Sequence, residues 1–178
     1  MEHGKMIEFL KIIGLAIIAA VGYGVIFDQI TVRICLEYFT VAHPMVFPTT
    51  SPTLLALGWG VIATWWAGAL LGLLAACSAR LGRLPKLSAG ELTRPIACSL
   101  TAMAVAAAIA GAIGYALATS GKVWLTPPMA DLIPTGRQPA FFTAAAAHSA
   151  SYAAGVIGAA YVCSYAIRRR RTRNKPTA

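Results

Sequence analysis

Charge is what this sequence has least of. Only 12% of its 178 residues are Asp, Glu, Lys or Arg, while 58% are apolar. A soluble domain carries about 25% charged residues, because a small body exposes much of its surface and needs polar groups to cover it. A chain this poor in charge cannot face water on all sides, which excludes an ordinary soluble enzyme and a disordered chain. There are only four cysteines, too few for a disulfide-rich secreted module. No CxxC pair occurs, which disfavours thioredoxin-like chemistry. Nucleotide-binding loops, serine-hydrolase elbows, HExxH and Glu-x-x-His spacings are also missing, so no familiar catalytic motif is present. Acids are the scarcest charged groups, six against fifteen Lys and Arg, for a net charge of +9. In a soluble protein that balance would suggest nucleic acid.

What the sequence has is apolar length. A bilayer core about 30 Å thick takes roughly 20 helical residues to cross. Four stretches qualify, at about 7–27, 54–77, 95–118 and 143–167. None alternates with period two, which argues against a β-barrel. In lipid a helix satisfies its own backbone, so the expectation is an all-α polytopic membrane protein, a single membrane domain over 1–178. The first run exceeds a signal-peptide core and reads as a retained span.

With the N-terminus inside, only Arg33, Lys122 and Arg137 of the fifteen Lys and Arg fall outside. The positive-inside rule then predicts N-in and C-in. The net +9 collects on the inner side, in a basic tail at 168–178 and the 78–94 loop, and the outer side nets zero. The run 168–171 reads as a stop-transfer anchor against anionic lipid headgroups rather than as a nucleic-acid site. Gly68 and Gly72 in the second span, Gly111 and Gly114 in the third, and Gly155 and Gly158 in the fourth predict close helix packing. The spacing leaves open whether that packing lies within one chain, in a homo-oligomer or in a larger membrane complex.

Between the first two spans the chain reads as an amphipathic helix on the outer face at about 29–42, with Asp28 as a potential N-cap. Whether it lies flat or continues the first span is open. Ile30, Ile34, Tyr38 and Val41 form an apolar stripe, and Arg33, Glu37 and Thr40 a polar one. Arg33 and Glu37 are spaced to pair at i, i+4, and Pro44 ends the helix. This segment concentrates the ionisable chemistry of the outer side: Asp28, Arg33, Glu37, Tyr38 and His43. His148 enters the fourth span from the same side with Tyr152 a turn deeper, and an ionisable residue inside a membrane is a functional candidate by default.

Three readings compete for that set. Glu37, His43 and His148, with Asp28 a further candidate, could hold a transition metal such as Zn, Fe or Mn. The seven residues could line a pocket for a lipid, quinone or small solute, with His148 and Tyr152 as polar anchors. Or Arg33–Glu37 is a structural ion pair and His148 a bond between helices. A charge-free third span argues against an ion channel or proton pump.

The runs CLEYFTVAHP at 35–44, LALGWGVIATWW at 55–66 and AHSASY at 147–152 resemble a family of small bacterial four-helix integral membrane proteins to which no activity is attached. The likeness covers most of the chain and implies a place in the bacterial inner membrane, without a mechanism. The preferred reading is a non-enzymatic binding protein or complex subunit with a pocket at the outer face. A metal-dependent membrane enzyme using Glu37, His43 and His148, and a purely structural subunit, are the alternatives.

Overall fold

The computed structural model describes residues 2–174, so the end of the basic tail, 175–178, lies outside the described residues. The protein is all-α and about 80% helical, with no strand among the described residues. The helices are α1 (Glu2–Ile34), α2 (Leu36–Thr40), α3 (Pro52–Ile62), α4 (Trp65–Arg80), α5 (Ala89–Thr119), α6 (Met129–Leu132) and α7 (Gln138–Arg173), the last preceded by a 3-10 turn at Thr135–Arg137. Four segments are long and apolar enough to cross a membrane: Gly4–Ile34, Pro52–Arg80, Ala89–Thr119 and Thr135–Arg173. The chain is a multi-pass membrane protein.

α1 outruns the expected first span at its distal end. No proline interrupts it, and 33 residues rise about 50 Å, well beyond the hydrocarbon core. Of the two arrangements open for the segment at 29–42, its first part continues the first span. Residues 28–34 belong to α1, the backbone turns extended at Cys35 with φ −146° and ψ 101°, and only five residues follow as α2. Asp28 is therefore inside a helix and caps nothing. The buried stripe is also not the apolar one: Ile30 and Ile34 are exposed, while Asp28, Thr31, Val32 and Cys35 are buried. Those four lie at i, i+3, i+4 and i+7, one face of a helix.

The second span is broken. α3 and α4 are separated at Ala63 and Thr64, where the Thr64 hydroxyl donates to the Gly60 carbonyl at 2.5 Å. α5 starts earlier than 95, at a capping box in which the Ser88 backbone N–H donates to Glu91 at 3.0 Å. Pro95 falls inside that helix.

α1 packs chiefly on α3 and α4, and α5 chiefly on α7; contacts between these two groups are sparser. Small residues make both interfaces close. A Cβ at Gly60 would fall 2.6 Å from the Val25 Cα, one at Gly68 2.8 Å from the Ile17 Cα, and one at Gly114 2.7 Å from the Phe142 carbonyl oxygen. The glycine spacings are thus spent within this chain, where backbones approach without a side chain between them.

The start of α1, the end of α4, the start of α5 and the end of α7 share one end of the bundle. Glu8 there accepts a hydrogen bond from the Ala89 backbone, and Arg173 pairs with Glu91. Arg170 is turned inward and buried, and donates to the carbonyls of Ser78, Leu81, Leu84 and Pro85 at 2.6–3.1 Å. One arginine of the 168–171 run therefore seals the C-terminal end of α4 and is withheld from headgroups. The opposite end carries α2, α6 and the connections around them.

Candidate functional site

The α2 end holds two distinct features, a buried polar pair and an apolar cleft. The pair is Asp28 on α1 and His148 on α7. Each is 5% exposed, and His148 Nε2 lies 3.8 Å from Asp28 Oδ1. Thr31 completes the group. Its hydroxyl donates to the Phe27 carbonyl at 3.1 Å and meets His148 Nε2 at 3.2 Å. A hydroxyl has one proton, so with that proton on Phe27 the histidine Nε2–H is the donor to Thr31. The Asp28 carboxylate makes no hydrogen bond among the described residues. It is not wholly sealed, since no side-chain oxygen or nitrogen shut off from solvent lacks a partner.

Aromatic rings close around the histidine. Phe27 lies 4.8 Å from it between ring centres, Tyr38 4.7 Å, Phe39 5.8 Å and Tyr152 6.2 Å. One turn deeper, the Tyr23 hydroxyl bonds Ser151 at 2.9 Å. Tyr152, expected a turn deeper than His148 as a second polar anchor, is exposed, and Ser151 is buried. α7 also begins at 138, so His148 sits about 15 Å along that helix, deeper than the expected boundary implied.

α2 roofs this pair and is held by a second polar set. Arg137 donates to both oxygens of Glu37, at 3.0 Å and 3.1 Å, and to the Ile34 carbonyl at 3.1 Å. The guanidinium holds the Glu37 carboxyl below its ordinary value. The Cys35 thiol donates to Glu37 at 3.3 Å, and burial pushes that thiol up to about 11. Burial likewise pushes the Tyr38 phenol up. The expected Arg33–Glu37 pair does not form, because the break at Cys35 turns the two residues apart. Arg33 instead donates to Gln29 Oε1 at 2.6 Å and to Thr53 on α3 at 3.1 Å, and it has no carboxylate partner among the described residues.

The metal set Glu37, His43 and His148 is not brought together. No three His, Cys, Asp or Glu side chains among the described residues converge as a metal site. Glu37 is engaged by Arg137, His43 Nδ1 donates to the Tyr38 carbonyl at 2.7 Å, and His148 turns to Thr31. A Zn, Fe or Mn centre needs ligand atoms within about 2.0–2.3 Å of one point, and these donors are directed elsewhere.

The cleft lies on the other side of Phe39. It encloses about 490 Å³, within the range of ligand pockets. Phe39, Phe47, Leu55 and Trp59 form its apolar wall, and Thr40 and Thr49 add hydroxyls; no charged residue lines it. The segment 44–50, rich in proline, cannot continue a helix and folds over α3 to make the outer lip. None of Asp28, Arg33, Glu37, Tyr38, His43, His148 or Tyr152 lines this space. His43 comes nearest, packed at 4.7 Å on the Trp59 ring. Phe39 belongs to both features, walling the cleft and touching His148.

The residues that sequence reasoning missed are Tyr23, Phe27, Thr31, Phe39 and Arg137. Tyr23, Phe27 and Thr31 stand at i, i+4 and i+8, a signal that carrying the first span through to 34 would have exposed. Arg137 offered none, since its partner lies 100 residues away. Comparisons with protein-family models, with curated proteins and with solved structures find no match for the chain.

Proposed function

We propose that this chain is a non-enzymatic lipid-binding protein of a bacterial inner membrane, with the α2 end outside and the start of α1 and the end of α7 inside. The observation that carries the reading is the uncharged cleft of about 490 Å³ at one end of a membrane-spanning bundle. The lining has the chemistry of an aliphatic chain, with aromatic and branched walls and only hydroxyls for polarity. Met45 and Val46 on the lip are exposed and extend that apolar surface outward. The distribution of Lys and Arg supports the orientation. Arg80, Arg83, Lys86 and the 168–173 arginines gather at one end, and short basic segments remain inside.

The test is native mass spectrometry of the detergent-purified protein after exchange into lipid-free detergent. The expected result is a retained adduct of phospholipid mass, lost in Thr40→Phe, which fills the cleft from an exposed position. A folded wild type that retains no lipid, or a Thr40→Phe variant that retains it unchanged, would overturn the reading.

A further inference from the structure

Moving an acyl chain from the bilayer into an apolar cleft exchanges one hydrocarbon environment for another, so it supplies little driving force. Selection among lipids must come from the polar end of the molecule. The cleft contributes no charge of its own. Arg33, which reaches the same helix that walls the cleft, has no carboxylate partner among the described residues. Its guanidinium donates to the Gln29 carbonyl and side chain and to Thr53 Oγ1, all neutral acceptors. Thr53 lies in the first turn of α3, the turn that supplies Leu55 to the cleft wall. Gln29 also donates to the Thr53 carbonyl at 3.2 Å. Arg33 is thus held in place on α3 while its charge stays exposed. Arg137, the other arginine at this end, is already matched with Glu37.

We propose that the cleft and Arg33 together form a site for an anionic phospholipid of the surrounding leaflet, with one acyl chain in the cleft and the phosphate on Arg33. This rests on the lipid-binding reading and adds the headgroup class to it. Arginine suits the task because its planar fork meets two phosphate oxygens at once. Charge complementarity sets the choice of occupant: an exposed cation held on the first turn of α3, the helix that walls an uncharged apolar cleft, matches a ligand with one anionic and one aliphatic end.

Trp59 gives a direct readout, since it lines the cleft. With Trp65, Trp66 and Trp124 changed to Phe, it is the single fluorophore. The protein is placed in phosphatidylcholine nanodiscs that carry a minor fraction of acyl-brominated lipid, either phosphatidylglycerol or phosphatidylcholine. The expected result is roughly fivefold stronger association of brominated phosphatidylglycerol, the scale one arginine contributes at an anionic lipid. That preference disappears in Arg33→Gln and persists in Arg33→Lys. Equal quenching by both lipids, above the level in Thr40→Phe, would overturn the headgroup assignment and leave the lipid-binding reading standing. Quenching by neither above that level would remove both. Quenching by a brominated free fatty acid and not by the phospholipid would overturn the assignment to a bilayer lipid.

Discussion

Asp28 is the residue most at odds with its surroundings. It is buried in a membrane-spanning helix, and no hydrogen bond to its carboxylate is found among the described residues. His148 Nε2, the nearest cation-forming group, is 3.8 Å away, too far for a hydrogen bond. An unpaired buried polar group costs about 1–3 kcal/mol, and such violations are retained mainly where function needs them. Asp28→Leu is therefore expected to raise the denaturant midpoint of the protein in detergent micelles. A lower midpoint would show that the pair is a structural bond between α1 and α7. Sequence made both residues visible as intramembrane ionisable groups but could not show that they meet. Their separation is 120 positions, and the boundary drawn at 27 left Asp28 outside the first span.

At the scale of elements, α2 is a five-residue helix that cannot be stable alone, since isolated helices below about 12 residues are marginal. Phe39 and the Glu37–Arg137 pair hold it down. Glu37 titrates below its ordinary value in the folded protein, with the Arg137 hydrogen bond as the chief cause. A depressed carboxyl contributes stability that is fully present above the unfolded value, near 4.3, and is lost as pH falls through the folded value. Acid below that range should release α2, seen as a red shift of Trp59 emission in the single-tryptophan background. Glu37→Gln should produce the same shift at neutral pH, and a wild-type spectrum there would sink the account. The interface of α1 with α3 makes a second prediction at this scale. Gly60→Ala puts a methyl 2.6 Å from the Val25 Cα, while nothing stands within 4 Å of a Cβ at Gly22. Overpacking of that kind costs about 1–3 kcal/mol. Thermal unfolding should separate the two variants, with Gly60→Ala lowered and Gly22→Ala unchanged or raised.

For the whole molecule, two groups of helices, α1 with α3 and α4, and α5 with α7, are joined by polar contacts at both ends. Tyr23–Ser151, Thr31–His148 and Glu37–Arg137 bridge them at the α2 end, and Arg170 ties α7 to the end of α4 at the basic end. Orientation is a property at this scale and is tested there. In a background free of native cysteines, Lys122→Cys should react with a membrane-impermeant maleimide in cells with a permeabilised outer envelope. Arg83→Cys should react only after lysis. The reverse pattern would invert the topology and place the cleft inside.

The all-α class, the four spans and the one-sided charge were determined by the sequence alone, because each is a matter of local composition along the chain. Twenty apolar residues must form a helix wherever lipid surrounds them, and basic segments resist translocation one by one. The site was decided by tertiary structure. The pairing of Glu37 with Arg137 rather than Arg33 depends on a backbone break at Cys35 that no proline or glycine announces. The glycine spacings named close-packing faces without naming their partners, and only the packed bundle turned them onto α1, α5 and α7. The cleft exists because the 44–50 segment folds back over α3, so its walls come from residues that sequence had read as the end of one helix and the approach to the next. Contacts between positions a hundred residues apart have no signature in either local pattern, and it is those contacts that distribute the few charges between structure and chemistry.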